Sequence, residues 1–303
     1  MVPDVGVLLA RMDELGVAAV VNLDGRWGKE LEANLNRYDR SRPGRFATFC
    51  HLDWSLLTRP DGPRQLVAQL RASAALGACG IKVWKDLGLS VRDAAGRLVA
   101  VDDPRLDDLW ETAAELQLPV LVHTADPVAF WQPADRHNER WEELVRHPDW
   151  HHGSRGAPPH DQLVGSLERV VARHRRTTFI GAHLASCAED LARVDRMLRE
   201  HPNLVVDLSA RAAEIGRQPR AAAALMSRHA NRVLWGTDAF PFDPAQYRIW
   251  FRLLESADEH FPYSSAPVPP QGRWAVSGLA LPPDVLAAVY AGNARRVVPA
   301  LGR

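Results

Sequence analysis

"RVLWGTDAFPFD" (residues 232–243) runs from three apolar residues, Val233, Leu234 and Trp235, into Gly236, Thr237 and Asp238. An apolar run of that kind reads as a strand buried on both faces. It ends on a carboxylate, and no basic residue follows in the next several positions to pair with it.

The same pattern recurs upstream. "VAAVVNL" (17–23), "RFATFCHLDW" (45–54), "GIKVW" (80–84), "PVLVHTAD" (119–126), "TTFIGAHLA" (177–185) and "PNLVVDLSAR" (202–211) all read as buried strands. Helical patterns separate them. Val5, Leu8, Leu9, Met12 and Leu15 recur at helical spacing before a capping Gly16. "DPRLDDLWETAAEL" opens on Asp-Pro, a good helix start. "LSVRDAAGRLVAV" (89–101) reads as a small hairpin turning at Ala95-Gly96. Strand and helix alternate from end to end, which implies an α/β fold with a parallel sheet wrapped by helices. A barrel and an open doubly wound sheet both fit. No glycine-rich phosphate loop follows any strand, which weakens a nucleotide-binding sheet. Without a repeat or linker, residues 1–303 read as one domain.

Composition narrows the function classes. The 303 residues are 46% apolar and 24% charged, with zero formal net charge. A neutral chain gives no argument for nucleic-acid or membrane binding, and no stretch approaches a transmembrane helix. The N-terminus is acidic-leaning and amphipathic, unlike a signal peptide. Cys50, Cys79 and Cys187 are odd in number and widely spaced, as expected of free thiols in the cytoplasm.

The strand ends carry the chemistry. They hold His51 and Asp53, Lys82 and Lys85, His123 and Asp126, His183, Asp207 and Arg211, and Asp238. In a parallel barrel these ends open on one face, where active sites lie. Burying such groups without partners costs several kcal/mol each, roughly. A divalent cation compensates His and Asp together, and Zn2+ accepts both as ligands. Such an ion lowers the pKa of its water to about 7. Asp238 is then placed to take the proton, and His183 to steady the oxyanion or shuttle the proton.

These segments resemble the amidohydrolase superfamily, in the amidohydrolase-related branch that includes aminocarboxymuconate semialdehyde decarboxylase. "PVLVHTAD", "FIGAHLA", "NLVVDLSA" and "VLWGTDAFPF" are similar to its strands five to eight, and "VYAGNARRVVP" (289–299) to its closing segment. The resemblance implies a TIM-type (β/α)8 barrel. It implies that His123 ligates a metal, that Asp238 is ligand and general base, and that His183 acts beside the metal. The family opens on a strand bearing His-x-His; here the first histidine is His51, and the chain opens on a helix. Seven strands are read where the barrel needs eight. The first strand is expected to be missing from this chain, leaving bare edges at 17–23 and 232–237. The other candidate to fill the gap is "GRWAVSGLA" (272–280). With only two of the usual ligands, zinc binding is expected to be weak.

His51, Lys82 and Arg211 are the candidate substrate contacts, Arg211 for a carboxylate. Lys82 has a second reading, as a structural bridge to Asp207. His151 and His152 read as a solvated loop pair. The long stretch from Asp126 to His160 carries Phe130, Trp131, Trp141 and Trp150. It reads as a lid over an apolar or ring-bearing substrate, or as aromatics packing the loop onto the barrel. The activity expected is metal-dependent hydrolysis of a small carbonyl compound, an amide, lactone or similar. Non-oxidative decarboxylation and a non-catalytic, incomplete barrel are the alternatives. Some decarboxylases of the branch carry an acid three residues after the strand-six histidine; Ser186 stands there and tips the reading toward hydrolysis. A small-molecule substrate is the expected partner, with homo-oligomerisation through the bare edges.

Overall fold

A computed structural model describes residues 4–239 and 242–302; Phe240 and Pro241 of the segment quoted first lie outside it. Seven strands run parallel. They are β1 (Val20–Asn22), β2 (Phe46–Thr48), β3 (Ile81–Val83), β4 (Val120–Val122), β5 (Phe179–Gly181), β6 (Leu204–Asp207) and β7 (Val233–Leu234). Ladders join β1 to β2 and β3 through β7. The Cys50 N–H donates to Gly80 O and the Lys82 N–H to Cys50 O, at 2.9 and 2.8 Å, which links β2 to β3. Spatial order therefore follows chain order throughout. A doubly wound sheet reverses its order at a switch point; this one does not, which leaves the barrel.

Helix α1 (Val5–Glu14) precedes β1, and one helix follows each strand: α2 (Gly28–Leu35), α3 (Gly62–Leu76), α4 (Asp107–Glu115), α5 (His160–Arg173), α6 (Leu191–Glu200), α7 (Pro219–Arg228) and α8 (Pro244–Glu255). Local chemistry sets their ends. Asp4 accepts from the N–H groups of Gly6 and Val7 to start α1, and Asp243 from Ala245 to start α8. Gly77 closes α3 at φ 116, a conformation costly for other residues. The expected hairpin is a tight antiparallel bridge between Arg92 and Leu98, with Gly96 at φ 76.

Side-chain alternation divides the core. Ile81, Val83, Val120, Val122, Phe179 and Val206 face outward onto Leu66, Leu70, Trp110, Leu167 and Val170 of the helices. Ala47, Phe49, Leu121, Ile180, Val205 and Leu234 fill the barrel interior with Val297 and Val298. Leu8, Met12, Tyr38, Phe46, Phe242 and Tyr247 form a third cluster around α1.

The barrel is open. Among the described residues β1 and β7 do not pair, and a cleft of about 1190 Å3 lies between them. Val20, Val21 and Leu23 line one side, and Leu234, Trp235 and Gly236 the other. The gap therefore lies between 17–23 and 232–237, where it was expected. Residues 272–280 do not fill it. Ala275–Val276 form β9, antiparallel to β8 (Phe261–Pro262), and the Ser277 N–H donates to Gly216 O on the far side of β6. The segment 289–299 instead covers the outer edge of β7. Asn293 Nδ2 donates to Val233 O at 2.8 Å, and the Trp235 N–H donates to Val289 O at 3.0 Å.

Candidate active site

Because the strands are parallel, their polar C-terminal residues share one mouth. His123 follows β4, His183 follows β5, Asp207 ends β6 and Asp238 lies just beyond β7. The His123 and His183 rings meet edge to face, 4.5 Å between centroids at 79°. His183 Nε2 is 3.9 Å from Asp238 Oδ2. The structure thus brings His123, His183 and Asp238 together.

The backbone is bent to do so. His183, Leu184, Ala185 and Ser186 have φ of 58°, 57°, 55° and 60°, and Ala210 and Asp238 have 57° and 55°. Left-handed conformation costs roughly 1–2 kcal/mol per non-glycine residue, and such strain gathers at functional sites. Asp207 secures the bend: its Oδ1 accepts from the N–H of His183 at 2.9 Å and of Ser209 at 3.0 Å, and from the Ser209 hydroxyl. Ser186 Oγ accepts from the Ala125 N–H at 3.0 Å, tying the exits of β4 and β5 together.

Both imidazoles are held neutral. Burial brings His123 down to about 4 and His183 well below the usual histidine value, with His123 adding to the latter shift. His183 Nδ1 donates to Ser209 O at 2.8 Å, which fixes the tautomer and leaves Nε2 an acceptor toward Asp238. His123 Nε2 is buried without a hydrogen-bond partner. Asp238 lies deep in the cleft with its side chain 54% exposed. Its carboxyl is raised by desolvation, which the Lys82 charge opposes.

The three candidate substrate contacts differ. His51 is bolted down: its Nε2 donates to Leu23 O at 2.6 Å, with Trp84 Nε1 3.2 Å away. Arg211 is buried, its Nη1 3.9 Å from Glu214 Oε1. Lys82 makes no ion pair with Asp207, contrary to the structural-bridge reading. Its ammonium sits over the Trp84 ring, 4.4 Å from the centroid.

His152 corrects the reading of a solvated pair. Its Nε2 donates to Asp126 Oδ2 at 2.6 Å, and its ring lies on Trp131 at 4.5 Å. Lys85 Nζ contacts both Asp126 oxygens at 2.6 and 2.7 Å. Burial pushes the Asp126 carboxyl up, but the neighbouring His123 imidazole, the hydrogen bond from His152 and the Lys85 charge bring it far below the carboxylate range. The long loop folds onto itself: Trp131 Nε1 donates to Pro158 O at 2.8 Å, and buried Arg140 binds Glu214 and Glu143. No spacing in the sequence links His152 to Asp126; only this loop packing joins them.

A divalent ion takes neutral imidazole nitrogens and carboxylates. His123 Nε2, His183 Nε2 and Asp238 are of the right chemistry. Among the described residues, however, no three His, Cys, Asp or Glu side chains converge closely enough to hold an ion. A catalytic zinc site uses three protein ligands, so this donor set falls short of one.

The family model described as amidohydrolase matches residues 4–300. No curated protein matches the chain. Solved structures of similar fold include an uncharacterised TIM-barrel protein from Bordetella bronchiseptica, with TM-score 0.59 and 17% identity, covering 99% of this chain and 84% of that one. A 2,6-dihydroxybenzoate decarboxylase from Rhizobium has TM-score 0.59 and 18% identity, covering 99% and 88%. A dihydroxybenzoic acid decarboxylase from Polaromonas sp. JS666, solved with manganese and the inhibitor 2-nitroresorcinol, has TM-score 0.57 and 17% identity, covering 100% and 87%.

Proposed function

The chain belongs to the amidohydrolase family, and we propose that it hydrolyses a small carbonyl compound, an amide, lactone or similar, at the mouth beside His123, His183 and Asp238. The observation that carries this reading is the 3.9 Å approach of His183 Nε2 to Asp238 Oδ2 at the foot of the cleft. Desolvation raises the Asp238 carboxyl above the ordinary carboxylate value, which makes it a stronger base. It takes the proton of the attacking water. His183, with Nδ1 anchored on Ser209, offers its Nε2 lone pair to relay that proton to the leaving group. Arg211 and Lys82 supply the positive charge that faces an anionic substrate or a developing oxyanion. Zinc is the ion first expected for such a family member, and would bring Lewis acidity; the described donors do not complete its site.

Decarboxylation is the second reading. Two solved structures of the same fold are decarboxylases. Against it, the Ser186 hydroxyl is spent on the Ala125 N–H and carries no acid into the mouth. Product analysis separates the two. The purified protein, with and without added zinc or manganese, is incubated with small amides, lactones and aromatic acids. Release of acid or amine is expected; release of carbon dioxide alone overturns hydrolysis.

A further inference from the structure

We propose that Lys82 is a nucleophilic amine that forms an imine with the carbonyl carbon of a small keto acid. The inference goes beyond the hydrolytic reading and does not depend on it. Three observations carry it.

The first is placement. The ladder sets Lys82 opposite Leu121, Leu121 opposite Ile180, and Ile180 opposite Val205. Lys82 therefore points into the barrel, in a layer otherwise filled by apolar side chains. Leu121 and Ile180 of that layer line the cleft between β1 and β7, and so does Trp84, on whose ring the Lys82 ammonium rests.

The second is the absence of a partner. Lys82 is 3% exposed, yet among the described residues no carboxylate lies within 4.0 Å of its Nζ. A buried charge is normally paired. Here the ammonium rests on Trp84, and Asp207, Asp238 and Asp86 act on it only through space. Desolvation brings the amine down to about 8, so a useful fraction is uncharged at neutral pH.

The third is choice of residue. Of 37 Lys and Arg residues, only Lys29, Lys82 and Lys85 are lysines. The chain uses arginine almost everywhere a cation suffices. Lys29 is exposed and Lys85 is held by Asp126. An arginine at 82 would keep the charge but never lose its proton; lysine can present a free amine.

The step balances with water and one net proton from solvent. Nζ bonds to the carbonyl carbon. The carbonyl oxygen takes one proton from the amine and one from solvent, and leaves as water. The resulting iminium draws the electron pair of the bond to a β-carboxylate, and carbon dioxide departs. The enamine is protonated at carbon by a second solvent proton, and one water hydrolyses the resulting iminium to ketone and free amine, releasing one proton to solvent.

The test uses acetoacetate as probe with sodium cyanoborohydride, which reduces an iminium to a stable amine, in the presence of a chelator. Peptide mass spectrometry then reads all three lysines. The adduct is expected on Lys82, in excess over Lys29 by about tenfold or more, and is absent from Lys82→Arg. No adduct on Lys82, or equal labelling of Lys29, overturns the proposal. The wild-type map decides this even where the variant fails to fold. Loss of hydrolysis, by contrast, leaves the adduct unaffected.

Discussion

His183 Nε2 faces Asp238 Oδ2 at 3.9 Å, and each residue reaches that position from a left-handed backbone, at φ of 58° and 55°. Two separate strand exits thus hold strain to aim one imidazole and one carboxylate at the same point. Asp207 is what holds the histidine side in place, through the His183 and Ser209 N–H groups. It is a positioning residue: Asp207→Asn is expected to weaken the bend and lower turnover, while Asp207→Glu, too long for the turn, does not restore it.

Lys82→Met is expected to stabilise the protein at pH 7 by about 1–3 kcal/mol, because it replaces a buried ammonium without an ion pair by an apolar side chain of similar length. The sign of the pH dependence follows. The folded amine lies near 8, below an ordinary lysine, so between those values the unfolded chain binds more protons and wild-type stability rises with pH. The advantage of the variant therefore shrinks above about pH 8. Denaturant melts of both proteins from pH 7 to 10 check it; a constant difference contradicts it.

His152→Ala is expected to loosen the loop between β4 and α5. The substitution removes a charge-assisted hydrogen bond to Asp126 and a ring contact with Trp131, a loss of about 1.5–3 kcal/mol locally. Asp126 keeps Lys85, so the barrel itself stays folded. Limited proteolysis should cut the variant within residues 132–156 well before the wild type, with little change in global melting.

The open seam has its own signature. Val20 and Asn22 spend their backbone groups on β2, which turns those of Val21 toward the cleft. The Val21 amide is expected to exchange far faster than the amides of β4 and β5, which are paired on both sides. The bare edge of β1 also invites association, whereas that of β7 is covered by Val289 and Asn293. Sedimentation should show concentration-dependent self-association; a strict monomer with a protected Val21 amide contradicts an open edge.

Much of this was legible in the sequence. Continuous apolar runs at 80–84, 119–122 and 177–181 are strands because both their faces are buried, and the polar residues after them mark the mouth. His123, His183 and Asp238 were readable for that reason. The bend at 183–186 was not: alanine, leucine and serine carry no glycine-like sign of left-handed backbone, and only Asp207 behind them imposes it. Nor was the bond between His152 and Asp126, which spans a loop with no period. The role of 289–299 as a cover for β7 depends on Asn293 reaching the carbonyls of Ala230 and Val233, 63 and 60 positions away.

Metal content follows from the donor set. With no three ligands converging among the described residues, the purified 303-residue protein is expected to hold less than one equivalent of zinc after dialysis against a chelator. Stoichiometric, chelator-resistant zinc by atomic absorption contradicts that, and points to ligands outside this set.

The central claim is that Asp238 does chemistry. Its side chain is 54% exposed to the cleft, so Asp238→Asn disturbs little packing. Asparagine keeps the shape but cannot accept the proton of an attacking water. Steady-state hydrolysis of the best small amide or lactone substrate, at saturating added metal and beside a thermal melt, is the direct measurement. The account predicts a fall in kcat on the order of 100-fold or more with an unchanged melt. An active variant, or one whose only defect is a lower melting temperature, contradicts it.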